Sequence, residues 1–421
     1  MSNIIIKNSR NTENAPTNCI ATQTVAFSHY NNISAQLPID PTTGNIIAGD
    51  IKEQAKQCLN NIKAIVESID HVMEDVIKIN IFVRNITDIN AIDEIYTNFF
   101  HSYLPTRTVV AVAALPMNNA LVQMDALISN GEGTHPQTPC ALIKMARNTS
   151  HAPENSFSTQ TVAFSHYNNV SAQLPIVPET GEIIAGGIKE QTAQCLQNIK
   201  SILESIDVPL DDIVKVNIFL KDLNNVDAVN EIYTTFFPDS AIARAVAYLP
   251  ARTVTVASDL PMNALVQIDV VVSHGDGTPP QAVEDRHGIV IKASNTENAP
   301  QNAISTQTVA FSHYNHISTQ LPIDSKTGAI DANNIKEQTK HCLKNIKTIV
   351  ESVGHVMDDI VKVNIQLKDM SDLDAVNEIY ATFFNSDLPA RTVIGVSAIP
   401  MNALIQMDAV VSNAEGTPPQ K

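Results

Sequence analysis

The chain has 421 residues, which at ~100–200 residues per domain allows two to four domains. Lys and Arg total 27 against 44 Asp and Glu, a formal charge of −17. That excess of acid argues against a generic nucleic-acid or anionic-membrane binder, because neutralising phosphates takes clustered Lys and Arg. No apolar run approaches the ~20 residues of a membrane helix, and no basic-then-apolar leader opens the sequence. The cysteines (Cys19, Cys58, Cys140, Cys195 and Cys342) are an odd set without CxxC spacing. A disulfide framework and a structural zinc are therefore not expected, and a reducing, cytoplasmic location is.

In chain order, a short strand is expected over 4–7. Strands over 24–30 and 33–39 are expected to meet at an Asn31-Asn32 hairpin turn. Their opening segment, Thr-Gln-Thr-Val-Ala-Phe-Ser-His-Tyr-Asn, begins at Thr22 and returns at Thr159 and Thr306, at spacings of 137 and 147 residues. Asp50-Ile51-Lys52-Glu53 has capping-box spacing, and Ile51, Ala55, Leu59, Ile62 and Val66 then hold one helical stripe. The Ile-Lys-Glu-Gln that opens this helix recurs at Ile188 and Ile335. Residues 76–83 alternate as a strand. A second helix starts near Asp88 and buries Ile89, Ile92, Tyr96 and Phe99. Leu-Pro-x-Arg-Thr-Val leads into a β-rich stretch over 106–114, and its arginine recurs as Arg107, Arg252 and Arg391. A last strand covers 121–129, and each copy ends in Gly-Thr-x-Pro-Gln or a close variant.

Such spacings far exceed the 20–50 residues of a solenoid repeat, so each copy is a domain with its own core. The domains are expected at 1–134, 135–282 and 283–421, joined by Gly/Pro-rich linkers near 130–139 and 274–286. The order β-β-β-α-β-α-β-β makes each an α+β domain with helices on one face of a sheet. Stretches such as Val109-Val110-Ala111-Val112-Ala113 are too apolar for the other face to meet water. Three copies are therefore expected to pack sheet on sheet about a pseudo-threefold axis. Copy two carries an insertion: Arg252 follows Phe237 by 15 residues, where Arg107 follows Phe100 and Arg391 follows Phe384 by 7. The extra residues, within 239–248, are placed to lid or block the site next to Arg252; Arg244 among them is read as a surface residue.

Leu-Pro-x-Arg-Thr-Val, the Leu-Pro or Ile-Pro after it, Ser-x-Gln-Leu-Pro after the hairpin, Ala-Val-Asn-Glu-Ile-Tyr on the second helix (Ala-Ile-Asp-Glu-Ile-Tyr in copy one) and the final strand occur in the same order in each copy. In that set and order the chain resembles the RidA (YjgF) family of reactive 2-imino acid deaminases, three times over. The resemblance implies chorismate-mutase-like α+β domains. It also implies that one chain supplies what the family builds as a homotrimer: an intrachain pseudo-trimer with clefts between neighbours, monomeric in solution. The implied reaction is hydrolysis of 2-imino or enamino acids to 2-keto acids and ammonia, with no metal and no cofactor.

On the same resemblance, Arg107, Arg252 and Arg391 hold the substrate carboxylate, a task that suits the fixed fork of guanidinium donors. Ser34, Ser171 and Ser318 line the pocket, and Asn230 and Asn377 stand near their arginines. Gln123, Gln267 and Gln406 occupy the place of the glutamate held to assist water attack. A glutamine can orient a water or hydrogen-bond an imine nitrogen, but it is no base near neutral pH. Other departures from the family are Ala35, Ala172 and Thr319 at its usual glycine, and Ala21, Ser158 and Ser305 at its usual tyrosine. Asp93 replaces the asparagine in copy one and is expected to pair with Arg107. Arg391 is expected in the least altered cleft, and a glutamate restored at Gln406 is expected near Arg391. Asp125, Asp269 and Asp408, two residues beyond the glutamines, are expected on the opposite sheet face. His29, His166 and His313 are read as solvated turn residues rather than bases, and Cys58, Cys195 and Cys342 as core thiols rather than nucleophiles.

Three functions remain open at this point. One is a deaminase acting on small 2-imino acids. Another is a non-catalytic small-carboxylate-binding or scaffold protein with degenerate sites. The third is the ribonuclease activity attributed to some relatives, against which the charge and the lack of a basic stripe argue. The expected partners are small 2-imino or 2-keto acids, with no nucleic acid and no membrane.

Overall fold

The computed structural model describes residues 5–129, 133–134, 143–237, 248–273, 278, 290–330, 332–414 and 416–417. Copy one is built from β1 (Asn8–Arg10), β2 (Thr24–Phe27), β3 (Tyr30–Gln36), α1 (Ile51–Glu67), β4 (Val76–Val83), α2 (Ile89–Tyr96), β5 (Thr106–Ala111) and β6 (Val122–Ser129). Its sheet runs β1-β2-β3-β6-β4-β5. The β4–β5 pair, which α2 connects, is parallel, and the rest is antiparallel. Copies two and three form equivalent six-stranded sheets. Each copy is thus an α+β domain built on one six-stranded sheet.

α1 starts where its capping chemistry places it. The Asp50 carboxylate accepts from the backbone of Lys52 and Glu53, and Glu53 accepts from the Asp50 N–H at 2.9 Å. Its apolar stripe (Ala55, Cys58, Leu59, Ile62, Ile65 and Val66) is fully buried against Val122, Met124, Ala126 and Ile128 of β6. Each such aliphatic side chain contributes ~1.5–3 kcal/mol on burial. Cys58, Cys195 and Cys342 lie inside this layer in their own copies, where burial pushes their thiols up. Cys19 is exposed, and Cys140 lies outside the described residues.

The hairpin turns earlier than expected. Phe27 pairs with Tyr30, so Ser28-His29 makes the turn, and Asn31 and Asn32 are buried strand residues. Ser28 takes φ 51, with Ser165 and Ser312 alike. A tertiary contact holds it there: Thr134 Oγ1 accepts from the Ser28 N–H at 2.9 Å, and the Thr134 N–H donates to the Ser28 carbonyl at 3.1 Å. Thr278 and Thr417 repeat this contact, which explains the Gly-Thr ending of each copy. None of the three turn histidines is fully solvated, and His166 and His313 are half-buried. His29 is buried, His166 packs edge-on to Phe311 and His313 to Phe27, and burial lowers the pKa of His313.

The second face of each sheet meets the other two copies. Gln123, Asp125 and Leu127 share that face, because residues two apart on a strand point the same way. The expectation that Asp125, Asp269 and Asp408 face away from the glutamines is therefore corrected. Each aspartate crosses to the preceding copy: Asp269 meets Lys78 at 3.1 Å, Asp408 meets Lys215 at 3.6 Å and Asp125 meets Lys362 at 3.3 Å. Each also accepts from a threonine of that copy (Thr108, Thr253 and Thr392) and from an asparagine of its own. Tyr30, Tyr167 and Tyr314 stack edge to face with ring centres 5.8–6.1 Å apart, and each hydroxyl donates to a phenylalanine carbonyl of the next copy. Beyond the β5 strands the copies bond directly, and Gly395 is needed there: a Cβ would stand 2.7 Å from the Cβ of Ala114.

The copy-two insertion with Arg244, and most of both linkers, lie outside the described residues. Among the described residues no helix is long and apolar enough to cross a membrane. The buried cross-copy pairs generate the first prediction. Asp269→Ala leaves the Lys78 ammonium and the Thr108 hydroxyl without their carboxylate and should destabilise the protein by ~3–5 kcal/mol. Equilibrium urea unfolding measures the loss, and a change below ~1 kcal/mol would contradict this account.

Candidate active site

Each arginine sits on the edge strand of its sheet, against the neighbouring copy. β5 lies on Tyr167–Gln173 of copy two, and Ala390–Gly395 of copy three lies on β3. The Arg391 N–H donates to Ser34 Oγ at 2.8 Å, Arg107 to Ser171 at 2.9 Å and Arg252 to Ser318 at 2.8 Å. Each serine passes its own proton to the carbonyl of Thr22, Thr159 or Thr306. The serines thus staple two copies together, with their hydrogen already committed.

The clefts combine different copies from those that sequence proximity suggests. Gln123 Nε2 donates to the Val393 carbonyl at 3.3 Å, Gln267 to Val109 at 2.8 Å and Gln406 to Val254 at 2.8 Å. Gln123 therefore belongs with Arg391, Gln267 with Arg107 and Gln406 with Arg252. The expectation that Gln406 lies near Arg391 is corrected: strands from neighbouring copies, not from one, make each cleft.

Around Arg391 this arrangement opens a cavity of about 160 Å³ lined by Ile20, Ser34, Gln123, Asn377 and the arginine itself. Its outer wall is the loop before β2, held by Gln23. The Gln23 amide donates to the carbonyls of Thr12, Ala15 and Pro16 and accepts from the Thr12 N–H. Gln160 and Gln307 do the same in their copies. These glutamines, inside the repeated Thr-Gln-Thr, escape a reading that looks only for charged or nucleophilic groups. The tyrosines under the arginines escape it too. The guanidinium carbons of Arg107, Arg252 and Arg391 lie 5.0, 4.7 and 5.1 Å from the ring centres of Tyr96, Tyr233 and Tyr380. Their signal was the i, i+3 spacing after Asp93, Asn230 and Asn377, which puts both residues on one helix face.

The three guanidiniums differ in what they meet. Arg391 Nη1 donates to Asn377 Oδ1 at 2.8 Å, and Arg252 Nη2 donates to Asn230 Oδ1 at 2.7 Å. Both arginines are buried, which lowers their pKa. Among the described residues neither has a carboxylate within ion-pair distance. Arg107 instead makes an ion pair with Asp93 at 2.6 Å, and Phe157 of copy two stands 6.0 Å from its guanidinium. Burial raises the Asp93 pKa and Arg107 opposes the rise. Among the described residues no three His, Cys, Asp or Glu are grouped to hold a metal.

The sequence pattern of the endoribonuclease L-PSP family matches residues 17–129, 148–274 and 296–413. The chain belongs to that family, the one of RidA and YjgF, in three tandem copies. A RutC family protein of Pyrococcus horikoshii is 41% identical over 116 residues, 27% of this chain and 92% of the relative. A protein of Salmonella typhimurium named 2-iminobutanoate/2-iminopropanoate deaminase is 38% identical, over 27% of this chain and 92% of its own. The solved structure of the E. coli YjgF gene product is 34% identical, over 29% of this chain and 98% of that one, with a TM-score of 0.28. A quarter or so of this chain thus spans nearly the whole length of either of the first two relatives.

The contrast among the arginines generates the second prediction. Asp93 neutralises Arg107, so a small carboxylate should fill fewer than three sites on the unmodified protein. Asp93→Asn should add one site in a calorimetric titration at neutral pH. Because burial holds the folded-state pKa of Asp93 up, its ionisation weakens folding as pH rises through that value, and Asp93→Asn should remove this contribution. An unchanged site count would show that Asp93 does not compete with ligand.

Proposed function

We propose that the chain hydrolyses reactive 2-imino acids to 2-keto acids and ammonia, chiefly in the cleft of Arg391. The observation that carries this reading is a buried guanidinium that faces a cavity and, among the described residues, has a neutral amide and a tyrosine ring beside it but no carboxylate. A buried cation without a counter-charge is costly, and a substrate carboxylate supplies the missing charge in bidentate geometry. Gln123 Oε1 is buried without a hydrogen-bond partner in the same cavity. It can accept from a water or from the N–H of a protonated imine. Water adds to the imine carbon, the nitrogen takes up protons, and the carbinolamine collapses to a keto acid with loss of ammonia. Because a protonated imine is already a strong electrophile, holding it beside water supplies much of the rate without a basic side chain.

The endoribonuclease of the family's name finds less support. Nucleic-acid binding needs exposed cationic surface, whereas Lys78, Lys215 and Lys362 are buried between the copies and the chain carries −17. Binding without turnover is favoured by one feature, the glutamine at the position of an assisting carboxylate.

An amino acid oxidase that generates the imine, with semicarbazide trapping, measures hydrolysis directly. Arg391→Ala should remove more activity than Arg107→Ala, because Arg107 is already paired. Equal losses from folded variants would refute this ranking. Keto-acid binding without any hydrolysis would replace the enzyme reading by the binding one.

Closure of three copies within one chain implies a monomer, since the linkers give an effective concentration above any intermolecular one. Light scattering in dilute solution should then give the 45.7 kDa of one chain. A mass three times that value would mean that copies trimerise between chains.

A further inference from the structure

Between the three sheets, away from the arginines, lies a second cavity of about 150 Å³. The tyrosine ring and the lysine–aspartate pairs both face it, and its hydrogen-bonding groups do not balance. Asp125 and Asp408 each already accept from an asparagine, a threonine and a lysine. The lysines are not used up. An ammonium carries three N–H donors. Among the described residues Lys78 meets Asp269 alone, while Lys215 and Lys362 each meet one carboxylate and one carbonyl, Ile317 O at 2.8 Å and Ile33 O at 2.7 Å. Two donors therefore remain on Lys78 and one each on Lys215 and Lys362.

Two buried amides add to the surplus. Asn32 and Asn169 line the same cavity, and among the described residues Nδ2 of each finds no acceptor. Asn169 is 1% exposed and lacks a partner at Oδ1 as well. His316 stands at the equivalent position of copy three, kept neutral by burial and by Lys215 and Lys78, which push its pKa down to about 3. Leaving a buried donor unpaired is costly, more so for a charged group. Each water brings two donors with its two acceptors, so water offsets the excess only as far as acceptors such as Asn169 Oδ1 take its own hydrogens. A cation would have to take carboxylates that already hold three donors. An acceptor-only anion fits.

We propose that this axial cavity binds a small oxyanion of the phosphate or sulfate type, held by Lys78, Lys215, Lys362, Asn32 and Asn169. The volume accommodates one such ion with water, at ~30 Å³ per water molecule. Because each lysine comes from a different copy, the ion also ties the three copies together.

The test uses the intact chain with inorganic phosphate or chloride at matched ionic strength, read by thermal unfolding and calorimetric titration. The Arg252→Ala/Arg391→Ala double variant serves as background, so that anions bound in the clefts do not contribute. Phosphate should raise the Tm progressively with concentration and chloride should not. Asn169→Leu removes two unpartnered atoms, so it should keep or raise the Tm in chloride while weakening phosphate binding at least tenfold. Asn169→Asp places the negative charge within the chain. It should raise the Tm in chloride and abolish the phosphate response. A phosphate effect no larger than that of chloride in the double variant, or a full phosphate response in either Asn169 variant, would overturn the proposal.

Discussion

Everything in this molecule depends on the second face of each six-stranded sheet. Helices cover one face, and the other carries valines, isoleucines, tyrosines and a few charged groups that cannot be left in water. Three sheets solve the problem by covering one another. Apolar contact alone would tolerate many rotations between copies, but the buried charges do not. Lys78 must find Asp269, Lys215 Asp408 and Lys362 Asp125, and each aspartate must also receive a threonine from the same neighbour. Such pairs add little net stability over a well-packed apolar core, since desolvation offsets most of the attraction. Their effect here is to define one arrangement in which each carboxylate receives an asparagine, a threonine and a lysine.

The arginine clefts follow from that arrangement. The threonine that reaches the neighbour's aspartate is the residue after each arginine, so closing the ring brings the arginine's own N–H onto the neighbour's serine. No single copy holds a complete site. Fusion then allows the sites to diverge, because a substitution in one copy alters one cleft rather than three. Asp93 pairs with Arg107 alone, and Phe157 stands over that arginine where Ile20 lines the Arg391 cavity. In the Arg252 cleft Gln366 replaces the phenylalanine found at Phe82 and Phe219, and bonds both Thr255 and Gln406 at 2.7 Å.

Much of this was legible in the sequence wherever one residue type answers one local demand. The Asp50–Glu53 cap, the stripe of α1, the strand over Val76–Val83 and the pairing of Asp93 with Arg107 all rest on neighbours close in the chain or on the same motif. What escaped depends on distant contacts. The turn falls at Ser28-His29 because Thr134 holds Ser28 at positive φ, which outweighs the turn preference of Asn31-Asn32. The histidines are withdrawn from solvent, His29 fully and His166 and His313 in part, the last two packed on a phenylalanine of the next copy. The partner of each glutamine could not be read either, since nothing in a linear repeat says which copy completes which cleft. The face of Asp125, by contrast, was available from strand alternation alone.

The glutamines are more than carboxylates that have been lost. Both N–H bonds of the Gln406 amide are engaged, one with the Val254 carbonyl and one with the Gln366 amide oxygen. A carboxylate there would turn two attractive contacts into contacts between acceptors, and its ionised form would be disfavoured. The surroundings of Gln406 are therefore built for an amide. Gln123 makes one longer bond, and its oxygen lacks a partner beside Arg391. An amide oxygen in that position adds no charge to compete with substrate for the guanidinium, which a glutamate would do. Under the resemblance to the family, a glutamine here gives up a basic group and keeps the arginine free. On the hydrolysis proposed above, a free arginine that fixes the carboxylate would count for more than a base, because a protonated imine is already electrophilic and orientation lowers the barrier to attack by water.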